Sequence, residues 1–197
     1  MDRARIIALA LAFTALATIA HRPVRSQPLP PAPGWTTIFD VRHLGQWNPV
    51  GDANWRIVEG ALQADRGAGF MVSKTTYGDF DLRAEVWVSN DANSGVFIRG
   101  EDPTAITAAN AYEVNLYDER PDPAYRTGAI VNIASPTSRV DAGNRWNVFE
   151  ISAKGPHITV RLNGTQTVDI QNRAHARGVI ALQGGTGTVK FRTVQIK

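Results

Sequence analysis

Short runs of alternating apolar and polar residues divide this sequence, and no segment keeps the apolar period of three to four residues that a helix needs. Alternation places successive side chains on opposite faces of a β-strand. Glycine, proline, asparagine and aspartate separate the runs, as turns require. Ten or more short strands in one chain predict an all-β fold of antiparallel strands, either a sandwich or a barrel.

The sharpest local signal is Asn163-Gly164, which lies between two alternating runs and predicts a two-residue hairpin. The longer connection at residues 100–111 has room for a helical turn. The predicted strands cover residues 36–39, 55–64, 69–73, 80–88, 94–99, 111–118, 128–134, 146–154, 157–170 (which contains the hairpin), 178–183 and 188–196.

The first 26 residues have the pattern of a secretory signal. Arg3 and Arg5 precede an apolar run of 15 residues that ends at Ala20. That run is shorter than the roughly 20 residues that span a bilayer, although an uncleaved anchor is the alternative. Prolines make residues 27–33 an extended lead-in, and residues 34–197 form one domain. We therefore expect a periplasmic or secreted protein that has no membrane attachment after cleavage.

The charge of the chain excludes one class of partner. Four of the 21 Lys and Arg residues and one of the 18 Asp and Glu residues precede Gln27, so 17 of each sign remain from there on. The formal net charge of +3 therefore belongs to the leader, and no basic surface for nucleic acid is expected. The absence of cysteine excludes disulfides, thiol catalysis and zinc–thiolate sites.

Alternation within residues 80–88, 94–99 and 111–118 points one apolar set, including Val96 and Ile98, towards the core. If these strands are neighbours, the opposite set forms one outer face. Aromatic rings pack on sugar rings, Arg, Glu and Asn bind hydroxyls, and glycine leaves space above the backbone. We therefore predict a carbohydrate-binding face, with cross-strand ion pairs as the alternative. Its residues are Arg83, Glu85, Trp87, Gly95, Phe97, Arg99, Glu113, Asn115 and Tyr117.

Several motifs, in this order and spacing, resemble the 3-keto-disaccharide hydrolase domain, also described as a 3-keto-glycoside 1,2-lyase or hydratase domain. They include YGDFDLRAEV at 77–86, NSGVFIRG at 93–100, AYEVNLYD at 111–118 and TGAI at 127–130. The resemblance covers about Gly34 to Lys197. It implies a concanavalin-A-like jelly-roll sandwich in an exported bacterial protein that acts on oxidised, 3-keto sugars.

The resemblance also implies a chemistry in which a carboxylate removes the C2 proton of a 3-keto sugar and the group on C1 is expelled. Glu113 is the candidate base and Glu85 its competitor, while Arg99 is the candidate partner of the enolate oxygen. Asn115 and Gln183 are candidates for substrate binding, together with the aromatic residues of the outer face. No cofactor is certain. A divalent metal is possible, with Asp118 as a possible ligand.

One segment departs from the family pattern, which reads Leu-Gln-Asp-His-Gly where this chain has Leu182-Gln183-Gly184-Gly185-Thr186. The acidic and imidazole groups are missing there, and the remaining histidines are scattered.

From the resemblance as a whole, the expected function is an exported enzyme that cleaves 3-keto-disaccharides or 3-keto-glycosides. The alternative is a non-catalytic carbohydrate-binding module of the same fold, and a protein-interaction domain is a third, weaker possibility.

Overall fold

The computed structural model describes residues 27–197, which form two antiparallel β-sheets packed face to face. The predicted secretory leader, residues 1–26, lies outside the described residues. Thirteen strands and two short 3-10 helices, Leu44–Gln46 and Pro123–Tyr125, confirm the predicted all-β jelly-roll sandwich. No helix within residues 27–197 is long and apolar enough to cross a membrane.

The larger sheet has eight strands in the order β11-β10-β9-β6-β13-β4-β3, with β1 also paired to β13. Its central pair is β6 and β13, which run antiparallel along most of their length. Their bounds are β1 Thr36–Phe39, β3 Arg56–Val58, β4 Ala61–Ala64, β6 Phe80–Val88, β9 Arg145–Lys154, β10 His157–Leu162, β11 Thr165–Gln171 and β13 Val189–Ile196.

The smaller sheet has five strands in the order β2-β5-β12-β7-β8. The chain crosses between the sheets at residues 89–93, because it leaves the larger sheet after β6 and enters the smaller one at β7. The bounds are β2 Trp47–Gly51, β5 Gly69–Tyr77, β7 Ser94–Gly100, β8 Tyr112–Leu116 and β12 Gly178–Gly184.

The apolar core lies between the two sheets, and it contains the residues that alternation assigned to it. Val96 and Ile98 of β7 are fully buried there, facing apolar side chains of the larger sheet such as Leu82 and Phe149. The predicted hairpin is confirmed, because Asn163 and Gly164 both have positive φ, 53° and 84°, between β10 and β11. Such angles are the ones that a two-residue turn between twisted strands requires.

Four local expectations were wrong. Residues 55–64 form two strands, because Glu59 and Gly60 have positive φ and make a turn. Residues 128–134 form turns held by isolated bridges, with Asn132 at a φ of 62°. The connection at 100–111 contains no helical turn. Strand β2 was not predicted, because it has only the five residues WNPVG and Pro49 interrupts the alternation of apolar and polar side chains.

The Pro-rich lead-in, predicted as an extended linker, packs against the outer face of the larger sheet; we call residues 27–33 the strap. Leu29 of the strap is 8% exposed. Its backbone N–H donates to a Glu85 carboxylate oxygen at 2.6 Å. Arg192 donates to the Gln27 carbonyl oxygen at 3.0 Å. Proline lacks an N–H donor, so the backbone carbonyls and the Leu29 amide supply the strap's contacts.

Beneath the strap, Glu85 and Arg192 form a buried ion pair 2.9 Å apart. Arg192 is the extra residue of a β-bulge, because the register between β13 and β6 shifts between Phe191 and Thr193. A bulge of this kind redirects a side chain, here over the ring of Trp146 at 4.0 Å. The second carboxylate oxygen of Glu85 is satisfied by the strap, so the pair and the strap depend on each other.

We predict that shortening the strap's buried side chain destabilises the domain. Leu29→Ala should lower the free energy of unfolding by about 1–2 kcal/mol, since it removes most of a buried apolar side chain and the stabilisation that its burial provides. Ile57→Ala is the matched control, because Ile57 is 56% exposed and its removal should cost about 0.5 kcal/mol or less. Urea unfolding of residues 27–197 measures both values. Equal losses in the two variants would contradict a packed strap.

Candidate functional site

The predicted outer face is divided between the two sheets. Arg83, Glu85 and Trp87 lie on β6 in the larger sheet, whereas Gly95 and Glu113 lie on strands of the smaller sheet. Because the two outer faces are on opposite sides of the sandwich, the prediction of a single shared face was wrong. The error arose from treating β6 and β7 as neighbours, although the chain crosses between the sheets in the five residues that separate them.

On the larger sheet, the three predicted residues are engaged in structural contacts. Arg83 donates to Gln195 at 2.6 Å and stacks over Trp35 at 4.5 Å. Lys190 lies 5.1 Å from the Trp87 ring centre. Glu85 is 1% exposed under the strap and binds Arg192. Its position on the other side of the molecule from Glu113 removes it as a competitor for the same substrate.

Arg99 also lies away from the predicted face, because β7 contains a bulge. Phe97 pairs with Ala181 and Gly100 with Val179, so β7 has one residue more than β12 in this interval. Arg99 takes a φ of 53°, a left-handed conformation that is rare for a side chain of its size. The alternation of side chains therefore fails at this residue, and the expectation that Arg99 faces outwards beside Glu113 was wrong.

The guanidinium of Arg99 holds the loops at one end of the sandwich together. It donates to the carbonyl oxygens of Gly78 at 3.0 Å, Gly155 at 2.8 Å and His175 at 3.1 Å. It also binds the Asp79 carboxylate at 3.1 Å, and the arginine itself is 1% exposed. These contacts use the guanidinium inside the protein, which leaves it no part in binding an enolate oxygen.

The outer face of the smaller sheet carries a compact group of chemically capable side chains, which we call the small-sheet patch. The pairing of β7 with β8 places Phe97 opposite Glu113 and Gly95 opposite Asn115. On the other side, Gln183 pairs with Phe70 across β12 and β5. The members of the patch are Phe70, Gly95, Phe97, Glu113, Asn115 and Gln183.

Gly95 keeps the middle of this patch free of a side chain. A Cβ atom there would lie 3.0 Å from the Val114 carbonyl oxygen and 3.5 Å from the Gln183 Oε1 atom. Glycine therefore leaves the space above the β7 backbone open next to the Gln183 side chain. The rings of Phe70 and Phe97 meet edge to face at 5.2 Å. Phe97 is 2% exposed and packs with Ile106 and Ala111, so the expectation that its ring offers a surface to a sugar was wrong.

Glu113 is the titratable group of the patch. Its carboxyl is half-buried, with Phe97 directly opposite, and it forms no hydrogen bond or ion pair with any other residue of 27–197. Burial raises the pKa of Glu113 from 4.5 to about 7, because the charged form loses hydration and gains no compensating donor. A carboxyl with this pKa exchanges its proton near neutral pH, as a general base or acid requires.

Two amide oxygens beside Glu113 are also without partners. Asn115 is 3% exposed, and its amide nitrogen donates to the Tyr125 carbonyl oxygen at 2.6 Å. The Asn115 Oδ1 and Gln183 Oε1 atoms are buried and have no hydrogen-bond partner among the described residues. Buried polar atoms are nearly always hydrogen-bonded, so these two acceptors are available to donors of a water molecule or a ligand.

The loop after β8 borders the patch on the Asn115 side. Arg120 lies over the rings of Tyr117 and Tyr125, at 5.7 Å and 5.2 Å from their centres. The Tyr125 hydroxyl donates to Asn132 at 2.7 Å. Tyr117, predicted for the outer face, thus belongs to this border. Phe70 and Tyr125 were missed from the sequence, since Phe70 lies in a strand whose faces were not assigned and Tyr125 in a Pro-rich loop.

Asp118 joins two loops and does not offer its carboxylate to a metal ion. One oxygen accepts from the Thr127 hydroxyl at 2.5 Å, and the other accepts from the Ala142 and Gly143 amides at 2.7 Å each. No set of three or more His, Cys, Asp or Glu side chains within residues 27–197 is placed to hold a metal ion. The residues present therefore do not fit the divalent metal that Asp118 was expected to bind.

The Gly184-Gly185 segment is packed so closely that it cannot carry the larger side chains of the family pattern with this backbone. A Cβ at Gly184 would lie 3.0 Å from Ala53 and 3.1 Å from the ring of Trp55. A Cβ at Gly185 would lie 2.1 Å from the Asn93 carbonyl oxygen. Larger side chains at these two positions would require the neighbouring residues to move. His175 lies elsewhere and contacts Glu101 at 3.0 Å.

Solved structures with the same architecture include proteins connected with carbohydrates. A candidate glycosyl hydrolase from Parabacteroides distasonis is 22% identical, with a TM-score of 0.70 over 83% of this chain and 98% of that one. A second from the same organism is 17% identical, with a TM-score of 0.70 over 83% and 93% of the two chains. The carbohydrate-binding module CBM66 from Bacillus subtilis is 19% identical, with a TM-score of 0.58 over 82% and 94%.

At these identities the likeness establishes the fold alone. No protein of curated function matches the sequence. The sequence model of one family, described as a 3-keto-alpha-glucoside-1,2-lyase-like domain, matches residues 34–197. That match includes every member of the small-sheet patch and confirms the resemblance seen in the motifs. The chain therefore belongs to the family of 3-keto-alpha-glucoside-1,2-lyase-like domains.

Proposed function

We propose that this protein cleaves the glycosidic bond of 3-keto-glycosides by removing the C2 proton, and that Glu113 is the base. The observation that carries the proposal is the half-buried Glu113 carboxyl, whose pKa burial raises to about 7 beside two unpartnered amide oxygens. We further propose, from the sequence of residues 1–26, that the protein is exported. Family membership supports a carbohydrate as the ligand.

The proposed reaction needs one strong proton-transfer group. A ketone at C3 acidifies the C2–H bond, and Glu113 takes that proton while the electron pair forms an enolate across C2 and C3. The enolate then restores the ketone, forms a C1–C2 double bond and expels the C1 oxygen substituent, which gains a proton. Water adds back with its hydroxyl on C1 and the proton on C2, so the sum is hydrolysis.

The geometry supports this route over ordinary glycoside hydrolysis. Hydrolysis by the common retaining or inverting routes needs two carboxyl groups on opposite sides of the scissile bond. The small-sheet patch contains one carboxyl, Glu113, and the former competitor Glu85 lies under the strap on the opposite face. A single carboxyl with a pKa near the working pH suits abstraction of a carbon-bound proton.

The two amides give the patch its means of orienting a sugar. The unpartnered Asn115 and Gln183 oxygens accept hydrogen bonds from ring hydroxyls. The Gln183 NH2 group makes no hydrogen bond to another residue of 27–197 and is the donor available for a carbonyl or enolate oxygen. The half-buried Phe70 ring offers an apolar edge to one side of the sugar.

A specific observation also favours a second candidate, a non-catalytic carbohydrate-binding module. The packing around Gly184 and Gly185 leaves no space for the acidic and imidazole side chains of the family pattern. The Arg99 guanidinium is used by the end loops. In this alternative the same patch holds a sugar through Asn115 and Gln183, and Glu113 serves as a hydrogen-bonding group.

Replacing the proposed base separates the two functions. Glu113→Gln should reduce turnover of 3-keto-trehalose by at least about a hundredfold, because general-base catalysis contributes about 10²–10⁴-fold, and should retain sugar binding. Product formation is followed by chromatography, with and without an added divalent metal ion. The matched control, Glu150→Gln, makes the same chemical change at an exposed position on the other sheet and should leave turnover unchanged.

Two results would count against the enzymatic proposal. Full activity of the Glu113→Gln variant would remove Glu113 from the mechanism. No release of 3-keto-glucose or enone by the unaltered protein, with binding of the sugar preserved, would favour the carbohydrate-binding module instead.

The raised pKa of Glu113 also predicts how activity and stability depend on pH. The turnover rate should rise with pH through an apparent pKa of about 7, since only the carboxylate accepts the proton. Stability should change in the opposite direction. Because the folded pKa exceeds the unfolded value of 4.5, the protonated group favours the folded state below pH 4.5, and this contribution is lost as pH rises through 7.

The free energy of unfolding of Glu113→Gln, relative to that of the unaltered protein, should therefore increase by about 1–3 kcal/mol when the pH is raised from 5 to 8. Urea unfolding at the two pH values measures the difference. A constant difference across this range would show that Glu113 has an ordinary pKa in the fold.

A further inference from the structure

A pocket lies on the outer face of the smaller sheet, at the opposite end of β12 from the small-sheet patch. Along this strand Val179 lines the pocket, Ala181 packs in an apolar cluster with Phe97, and Gln183 belongs to the patch. The pocket has a volume of about 480 Å³, enough to hold a monosaccharide. Its lining comes from β2, β5, β7, β12 and the loop that follows β7.

The floor of this pocket is apolar and made largely of backbone. Val179 is 3% exposed, and Gly100 and Gly178 bring β7 and β12 together, because a Cβ at Gly178 would lie 2.1 Å from the Gly100 carbonyl oxygen. Pro103 forms part of the wall. A flat apolar floor with a polar border is the form that accepts the C–H face of a sugar ring.

The border carries two positive charges without acidic partners. No carboxylate of residues 27–197 lies within 4.0 Å of Lys74 or Arg177, since neither takes part in an ion pair there. Lys74 donates one hydrogen bond to the Gly45 carbonyl oxygen at 2.8 Å, which leaves further ammonium protons. Arg177 uses its Nε and one terminal nitrogen on Thr76, and its other terminal nitrogen forms no bond to a described residue.

The remaining polar groups define the charge of the ligand. Glu101, the one carboxylate of the lining, binds His175 at 3.0 Å. The lining therefore carries two cations and one anion, which suits a ligand of single negative charge better than a phosphate dianion. Asn48, an exposed lining residue whose side chain has no hydrogen bond to another described residue, offers an amide to ring hydroxyls.

We propose that this pocket is a second carbohydrate site, selective for a sugar that carries a carboxylate. Lys74 and Arg177 each bind one carboxylate oxygen, Asn48 binds a ring hydroxyl, and the ring lies over Val179. The site is separate from the small-sheet patch and does not depend on catalysis there. By binding a sugar unit that carries a carboxylate, this end of the sheet would select acidic glycans over neutral ones.

Nuclear magnetic resonance titration of residues 27–197 tests this proposal with four probes. Methyl β-D-glucuronide carries both ring and carboxylate, methyl β-D-glucoside carries only the ring, acetate carries only the carboxylate, and inorganic phosphate carries the dianion. Binding is followed through the backbone amides of Lys74, Thr76 and Arg177. We expect the glucuronide to bind at least tenfold more tightly than each of the other three probes.

Substitutions then test the assigned contacts. Lys74→Gln and Arg177→Gln should each weaken glucuronide binding by about tenfold, since each removes a charge-assisted hydrogen bond. Arg161→Gln is the matched control, because Arg161 is exposed on the larger sheet. Glu113→Gln should leave glucuronide binding unchanged, which separates this site from the proposed catalytic patch.

Three outcomes would overturn the proposal. Equal affinity for acetate and the glucuronide would reduce the pocket to a general anion site. Equal affinity for the glucoside and the glucuronide, with both cation variants unchanged, would show that the charges do not contribute. Shifts confined to amides around Glu113 would place acidic sugars in the other site.

Discussion

The apolar layer between the two sheets is the constraint from which the rest of this molecule follows. Each strand must turn one set of side chains into that layer, where residues such as Leu82, Val96 and Phe149 are almost completely buried. The alternate set then faces outwards on one of two opposite surfaces. Which surface a residue occupies depends on the sheet its strand joins, so the crossing at residues 89–93 separates Glu85 from Glu113.

Two of the irregularities in strand pairing modify this alternation by placing an arginine where the regular pattern would not. The bulge at Arg99 turns its guanidinium into the loops at the end of the sandwich, where it binds the carbonyl oxygens of Gly78, Gly155 and His175. The bulge at Arg192 directs its guanidinium to Glu85 beneath the strap. Burying a charge is costly unless it is paired, and both arginines are paired and almost inaccessible to solvent. Both arginines therefore hold parts of the domain together.

The sequence predicted the fold class, the Asn163-Gly164 hairpin and the inward positions of β7, because these depend on local periodicity and turn geometry. It also placed Glu113, Asn115, Gly95 and Phe97 together, since β7 and β8 are adjacent both in sequence and in space. The prediction failed where non-local pairing decides the outcome. The strand of Glu85 belongs to the other sheet, and residues 128–134 form turns around Asn132 instead of a strand. No local pattern in the sequence indicates that Arg99 adopts a positive φ, because the bulge arises from the register with β12.

The small-sheet patch has a feature that packing alone does not explain. A half-buried carboxyl without a donor and two buried amide oxygens without partners each weaken the folded state, since their hydration is lost without replacement. Gly95 adds no side chain to this region, where a Cβ atom would lie 3.5 Å from the unpartnered Gln183 Oε1 atom. A water molecule or a ligand that donates hydrogen bonds to these groups would recover part of this loss. The raised pKa of Glu113 has the same physical origin, since burial without a hydrogen-bond donor disfavours its charged form.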